Sequence, residues 1–458
     1  MFQLLREFKV GKPQMVAGLI LLVFLVQCLW AATTRKVSDL EYHYITTGIA
    51  APVRSTSATG QMEKTDSPLT SWVAVLPVRI INIVRKLAMP SIREALAVPR
   101  PGLLRLPFVL FGVWLGGALW WVARRLFDDE GGYVALILYC TSPAMIKISS
   151  NIGPEIILAW SSLGLIYTAI GVAHTLYAPR KKWAPRIVIL GLSIGFALAT
   201  AWWSFTLVLL AFAYMLYLAP GCRKKVLIVL SGATVIGCLI WGAVYLLTGS
   251  FGASVSGFLN QRPMRNLVVA FWENFSLYTF VIMLIATWVH FPAGKRKKWF
   301  GVVFVADLAL PAFLVLLNWL IGGAGLIETA RLAQPSLLSA SRNLLFALSP
   351  ETDGYVLVGL FIMALTTYGS WPRTRYFGNT APLLTAFSAV FLLTLAPALR
   401  LWDATLGLSF IFIFIGGIAA DLLETQFRRP LIVILAACFV LRAVLTMLAL
   451  NGWVQNLM

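Results

Sequence analysis

Apolar residues in this chain run in long blocks separated by short polar breaks. The blocks cover 15–33, 104–122, 131–147, 155–177, 187–201, 203–219, 225–248, 267–291, 299–321, 354–371, 380–398, 404–423 and 431–450. Many reach the roughly 20 residues that carry an α-helix across a hydrocarbon core. There every backbone N–H and C=O must be bonded within the segment, so helices are the natural solution. The pattern predicts an all-α polytopic membrane protein with about 13 transmembrane helices.

One interval breaks the rhythm. Between the first two blocks lies a polar loop of residues 34–103, and part of it is amphipathic. From Trp72 to Leu96, Val75, Leu76, Ile80, Ile83, Leu87 and Ile92 mix at roughly helical spacing with Arg79, Arg85, Lys86 and Arg93. Pro77 and Pro90 interrupt the run. Such a segment is expected to lie in the membrane interface, apolar side down, its basic groups toward lipid phosphates.

Composition agrees with the blocks: 59% of residues are hydrophobic and only 12% charged, with mean hydropathy +0.84. The net charge of +19 would suit a nucleic-acid binder, but its placement argues for topology instead. With the N-terminus inside, the inner segments carry 20 of the 37 Lys and Arg residues, and the short outer loops carry 5. That is the positive-inside bias. It predicts a cytoplasmic N-terminus and an outer C-terminus, in a cell membrane of the prokaryotic plasma or inner-membrane kind. The first block is too long for the apolar part of a secretory signal and is expected to stay as a helix.

The five cysteines show no CxxC pair, and the histidines number three. A His/Cys metal site is not expected, and the cysteines read as small packing residues. No cofactor is firmly implied; a divalent ion at the acidic residues described next is an alternative that the spacing does not favour. Gly-Gly pairs at 116–117, 322–323 and 416–417 suit close helix packing or turns.

Chemistry concentrates just after the first block, in Val37-Ser38-Asp39-Leu40-Glu41-Tyr42-His43-Tyr44. Two carboxylates, two tyrosines and a histidine stand at a membrane edge. Solvation of a loop beside Arg35 and Lys36 is the plain alternative. Further on, Asp66-Ser67-Pro68-Leu69 opens the amphipathic segment, and Arg105-Leu106-Pro107 opens the second block, which ends in Ala123-Arg124-Arg125-Leu126-Phe127. Thr141-Ser142-Pro143 and Asn151-Ile152-Gly153-Pro154-Glu155 follow.

In order, spacing and side of the membrane, residues 1–220 resemble the GT-C glycosyltransferases that use polyprenyl-phosphate sugars: the protein O-mannosyltransferases and the aminoarabinose transferases of lipid A. That family carries adjacent Asp-Glu after the first span, a Lys-Pro-Pro-Leu-like motif, an Arg-Leu-Pro span ending in Arg-Arg-Leu-Phe, and an acid opening the fourth span. This chain departs by separating Asp39 from Glu41, by placing Asp66 where the family has a basic residue, and by using Glu155 where Asp is common.

The resemblance implies a GT-C membrane module over residues 1–220, including the outer loop; further membrane helices are expected over 221–458, and the large soluble domain of some relatives is not expected. It implies transfer of a sugar from a polyprenyl-phosphate donor to an acceptor hydroxyl on a lipid, glycan or protein, at the outer face. Asp39 is then the candidate base, with Glu41 as its substitute and Glu155 in the same cavity. Tyr42, His43 and Asp66 are candidate substrate contacts, and Arg79, Arg105, Arg262, Arg265, Arg331 and Arg342 are the outer basic groups available to phosphate. The clustered acids are expected to raise one another's pKa by repulsion. Membrane lipids, and conceivably other membrane subunits, are the expected partners, and nucleic acid is not. Two rivals stand beside the enzyme: a non-catalytic GT-C relative within a membrane complex, and a lipid or solute transporter, against which the absence of internal half-repeats argues.

Overall fold

A computed structural model describes residues 11–50, 67–88, 101–177, 183–200, 204–247, 354–370, 385, 388, 405–425 and 428–455. All of these belong to one compact unit. Among the described residues the regular structure is entirely helical. Among the described residues, six helices are long and apolar enough to cross a membrane. The blocks 267–291 and 299–321 lie outside the described residues, as does nearly all of 380–398.

The first span is α1 (Lys12–Thr34). The loop after it supplies α2 (Asp39–Ala50) and α3 (Pro68–Ala88). Then come α4 (Pro101–Cys140), α5 (Pro143–Ser149), α6 (Glu155–Thr175), α7 (Ala184–Thr200), α8 (Phe205–Leu218) and α9 (Arg223–Leu247). The C-terminal part contributes α10 (Gly354–Ser370), α11 (Leu408–Leu423) and α12 (Arg428–Gln455).

Helix α4 is two helices in one assignment. Its backbone leaves helical geometry at Phe127 and Asp128, where Asp128 has φ 66°. Tyr139 donates a hydrogen bond to the Gly112 carbonyl at 2.7 Å, across 27 residues. Those positions lie on opposite sides of the break, so residues 101–126 and 129–140 fold back on each other as a hairpin. The two expected spans 104–122 and 131–147 are both present, but the second is interrupted. Ser142 caps α5 by accepting from the Met145 N–H, and Pro143 stands in the first turn. That arrangement ends one helix and starts another, because proline has no N–H to offer the preceding turn.

The hairpin packs mainly against α11 and α1. At the α11 crossing, a Cβ on Gly416 would stand 2.6 Å from the Gly131 carbonyl oxygen, and one on Gly417 would meet the Phe127 ring at 2.8 Å. Only glycine lets the two backbones come this close, as the 416–417 pair suggested. The 322–323 pair lies outside the described residues. On the outward faces of α1, α9 and α12, Leu19, Val23, Ile228, Leu239, Val433 and Leu448 are exposed. In a chain of this hydropathy these faces suit lipid, and the protein is a multi-pass membrane protein.

The amphipathic segment of the first loop packs partly on protein, while its Ile80 is exposed. It is helical from Pro68 to Ala88, and Leu69, Val73, Ala74 and Val75 are buried. This half packs on protein, mainly α2 and α4, and is not laid open to lipid. A Cβ on Gly48 of α2 would stand 2.3 Å from the Ser71 carbonyl oxygen of α3, which sets how closely the two helices cross. Residues 89–100, which include Pro90 and Arg93, lie outside the described residues.

Candidate active site

The acidic motif occupies the first turn of α2, and helical geometry sends its two carboxylates to different places. Asp39 is exposed and Glu41 is buried. Tyr42 is exposed, His43 half-buried, and Tyr44 buried in the protein.

Glu41 meets Arg105, which is fully buried in the first turns of α4. The Arg105 Nε donates to Glu41 Oε1 at 2.9 Å and its Nη2 donates to Oε2 at 2.7 Å. This is the bidentate fork that a planar guanidinium matches best. The other three N–H groups go to main chain: Nη1 to the carbonyls of Ala32 and Arg35, and Nη2 to that of Lys36, each at 2.8 Å. Arg105 thereby caps the C-terminal end of α1, whose last carbonyls have no partner inside the helix. All five of its donors are used.

Glu41 is equally committed. The Ser38 N–H donates to Oε2 at 2.9 Å and the Ile152 N–H donates to Oε1 at 3.0 Å. Arg35 stands 3.7 Å from Oε2 and also donates to the Asn151 side chain. Burial by itself raises the Glu41 pKa, but the Arg105 hydrogen bonds and charge, with the Ser38 and Ile152 N–H groups, outweigh it and hold the carboxyl below its ordinary value. Burial brings the Arg35 guanidinium down to about 10, with Glu41 opposing and Arg105 adding.

These contacts correct two expectations. Arg105 has no donor left for a phosphate, and Glu41 is a charged, fully bonded group with no site for a substrate proton. The expected rise from mutual repulsion does not occur at Glu41, because a cation lies against it. What the pair does is positional: it ties the end of α1, the start of α2, the start of α4 and the 150–154 loop into one knot.

That knot lies close in sequence to two further acids. Ile152 lies three residues before Glu155, which opens α6 and is buried with its carboxylate folded back over Gly153. Asp39 lies two residues before Glu41. The acid after the first span and the acid opening the fourth therefore flank the same bonded core. Arg79 is placed on α3, where Nη2 donates to the Gly48 carbonyl at 3.2 Å and closes the end of α2. Asp66, Arg262, Arg265, Arg331 and Arg342 lie outside the described residues. Among the described residues no group of His, Cys, Asp and Glu could hold a metal ion.

Sequence reasoning missed Arg35, Asn151 and Lys147. The last is a buried lysine at the end of α5, just before the loop that Glu41 holds. Its only sequence signal was a cation between two breaks in an apolar run.

Known proteins resemble the chain in part of its sequence and in its fold. Residues 102–241 match the family of dolichyl-phosphate-mannose-protein mannosyltransferases. No curated protein matches the sequence. Among solved structures, the archaeal oligosaccharyltransferase AglB from Archaeoglobus fulgidus, in complex with an inhibitory peptide and a dolichol-phosphate, is similar with TM-score 0.52 at 13% identity, over 94% of this chain and 55% of that one. The same organism's oligosaccharyltransferase in the apo form gives 0.52 at 13% identity, over 97% and 56%. ArnT from Cupriavidus metallidurans, bound to undecaprenyl phosphate, is a looser likeness with TM-score 0.40 at 15% identity, over 89% and 78%. The chain spans little more than half the length of AglB. In the residue pattern of 102–241 and in its fold, the chain is similar to the GT-C class of membrane glycosyltransferases.

Proposed function

We propose that the protein is an integral membrane glycosyltransferase that moves a sugar from a polyprenyl-phosphate donor to an acceptor hydroxyl at the outer face. The observation that carries this reading is the Glu41 carboxylate, bonded at once to Arg105 and to the Ile152 N–H. It ties the turn that carries the exposed Asp39 to the loop that leads into Glu155, which supports a shared site. The likeness to GT-C proteins supports the reaction class, and about 13 spans with an outer C-terminus complete the picture.

The step needs a proton acceptor and a leaving group. The acceptor oxygen attacks the anomeric carbon, the bond from that carbon to the phosphate oxygen breaks, and polyprenyl phosphate departs with the bonding pair. Asp39 takes the hydroxyl proton. Glu155, Tyr42, His43 and Asp66 line the approach. The departing phosphate needs a cation; Arg105 is spent on the fold, and Arg262, Arg265, Arg331 and Arg342 stay as the candidates that the sequence offers.

The test is transfer by the full chain in lipid nanodiscs, across a panel of polyprenyl-phosphate sugars, read as release of polyprenyl phosphate. Asp39→Asn should reduce the rate by about 10²–10⁴-fold, the usual contribution of a positioned base, with the fold retained because the side chain is exposed. Full transfer by Asp39→Asn would remove it from the mechanism.

A further inference from the structure

A cluster of cations stands at the far end of α6 from Glu155, about 30 Å away along a helix rising about 1.5 Å per residue. Arg186 Nη1 donates there to the Gly171 carbonyl at 2.6 Å and to Thr175 Oγ1 at 2.7 Å. The Trp183 indole N–H donates to the Thr175 carbonyl at 3.0 Å. Lys225, in the first turn of α9, donates to the Leu176 carbonyl at 3.5 Å and stands 5.8 Å from the Trp183 ring centre. These three side chains tie the end of α6 to the starts of α7 and α9.

Two neighbouring cations take no part in that tie. Arg223 and Lys224 are exposed, and neither makes an ion pair or hydrogen bond among the described residues. No acid lies near them in sequence, since the chain has none between Glu155 and Glu273. Tyr177 is 60% exposed beside them: its hydroxyl would stand 3.9 Å from a Cβ on Gly221, two residues before Arg223.

The surface that continues from these cations is apolar. Helix α9 packs on α7 at Gly191 and Gly195, where an added Cβ would meet Ile236 and Ile240, each at 2.7 Å. Beside that seam α9 is exposed. Leu227 follows Arg223 by four residues and Ile228 follows Lys224 by four, so each cation stands one helical turn from an exposed apolar side chain on its own face. Ile228 is 69% exposed, and Val235 and Leu239 extend the strip along the span.

We propose that this face of α9 binds an anionic phospholipid. Arg223 and Lys224 hold the phosphodiester, one by a planar fork and one as a point charge, and the Tyr177 hydroxyl donates to it. The acyl chains lie along Leu227, Ile228 and Val235. A zwitterionic lipid would bring a cation of its own to a pair of cations without a carboxylate partner, so net negative charge is selected. The bias of basic residues that sets topology asks only for charge in a loop, and not for an apolar strip one turn from each cation.

The test uses the full chain in nanodiscs of equal phosphatidylglycerol and phosphatidylcholine, with retained lipid read by native mass spectrometry. Glycosyl transfer plays no part in that readout, so the result stands apart from the proposed activity. The wild type should retain phosphatidylglycerol several-fold over phosphatidylcholine. Arg223→Gln with Lys224→Gln should bring the two lipids near parity. Arg125→Gln with Arg429→Gln removes the same charge from exposed positions on α4 and α12 and should keep the wild-type preference. Equal retention of the two lipids by the wild type, an unchanged preference in the Arg223, Lys224 variant, or the same loss in both double variants overturns the site. Glycerophosphoglycerol competing as strongly as the diacyl lipid would overturn the lipid assignment.

Discussion

Arg105 reaches Glu41 and Arg428 reaches Glu130 at the same 2.7 Å, yet the side chains of the first pair are 0% and 2% exposed and those of the second 60% and 36%. Distance alone would rank them equal. In the buried pair the desolvation of both charges is offset by a closed set of hydrogen bonds, so loss of either member strands a charge in a dry interior. In the exposed pair water screens the attraction, and each group is solvated once its partner is gone. The two ends of the same hairpin therefore use one kind of contact for different ends: at Arg105 it fixes geometry, and at Glu130 it decorates a surface.

The sharpest way to break the comparison is Arg105→Met. It leaves Glu41 buried without its cation and uncaps three carbonyls, so about 3–5 kcal/mol of destabilisation is expected, read as a large fall in thermal midpoint in nanodiscs. A loss under 1 kcal/mol would show that the knot is no more than a surface pair. The double variant Glu41→Leu, Arg105→Met sharpens the point. It removes the stranded carboxylate but not the uncapped carbonyls, and should recover only part of the loss.

Acid titration comes next. Glu41 is held below its ordinary value, so the folded state binds its proton less readily than the unfolded chain does. Its contribution is complete above the unfolded carboxyl value of about 4.3 and is lost as pH falls through the lower folded value. Between pH 5 and pH 3 the wild type should therefore lose more stability than Glu41→Gln. Parallel curves would refute the assignment.

A smaller effect is expected at Arg79. Arg79→Ala removes the Gly48 contact that closes α2, and one hydrogen bond from a charged donor contributes about 1.5–3 kcal/mol at most. Because Arg79 is only half-buried, the fall should lie at or below the low end of that range. Smallest of all, Arg428→Ala should change stability by about 0–1 kcal/mol, within the scatter of a thermal midpoint. A loss as large as that of Arg105→Met would erase the contrast between the two ends.

Much of this was legible in the chain itself, for reasons that differ by residue. The spans could be read because hydrocarbon imposes one rule on every segment it contains. The break at Thr141-Ser142-Pro143 was legible too, since Ser-Pro is a helix-start signal, although the apolar run through 147 obscured it. The role of Arg105 was not, because three of its acceptors are main-chain carbonyls 69–73 residues away, and carbonyls carry no sequence signature. Glu41 was misread for the same reason. Its neighbour two residues earlier is chemically alike, and only burial separates a committed carboxylate from a free one.

The knot also has a place in time. Arg105 is synthesised 64 residues after Glu41, and the Ile152 N–H another 47 residues after that. As the chain leaves the ribosome, α1 can enter the membrane and the acidic turn can remain at its water surface, but that turn has no fixed shape. It acquires one only when the second span delivers its arginine, and the last bond closes only as the fourth span arrives. A nascent chain halted before Arg105 therefore carries every acid of the first motif and none of its register. Assembly of this end of the bundle is set by the order in which spans are delivered, with α6 as the segment that completes it.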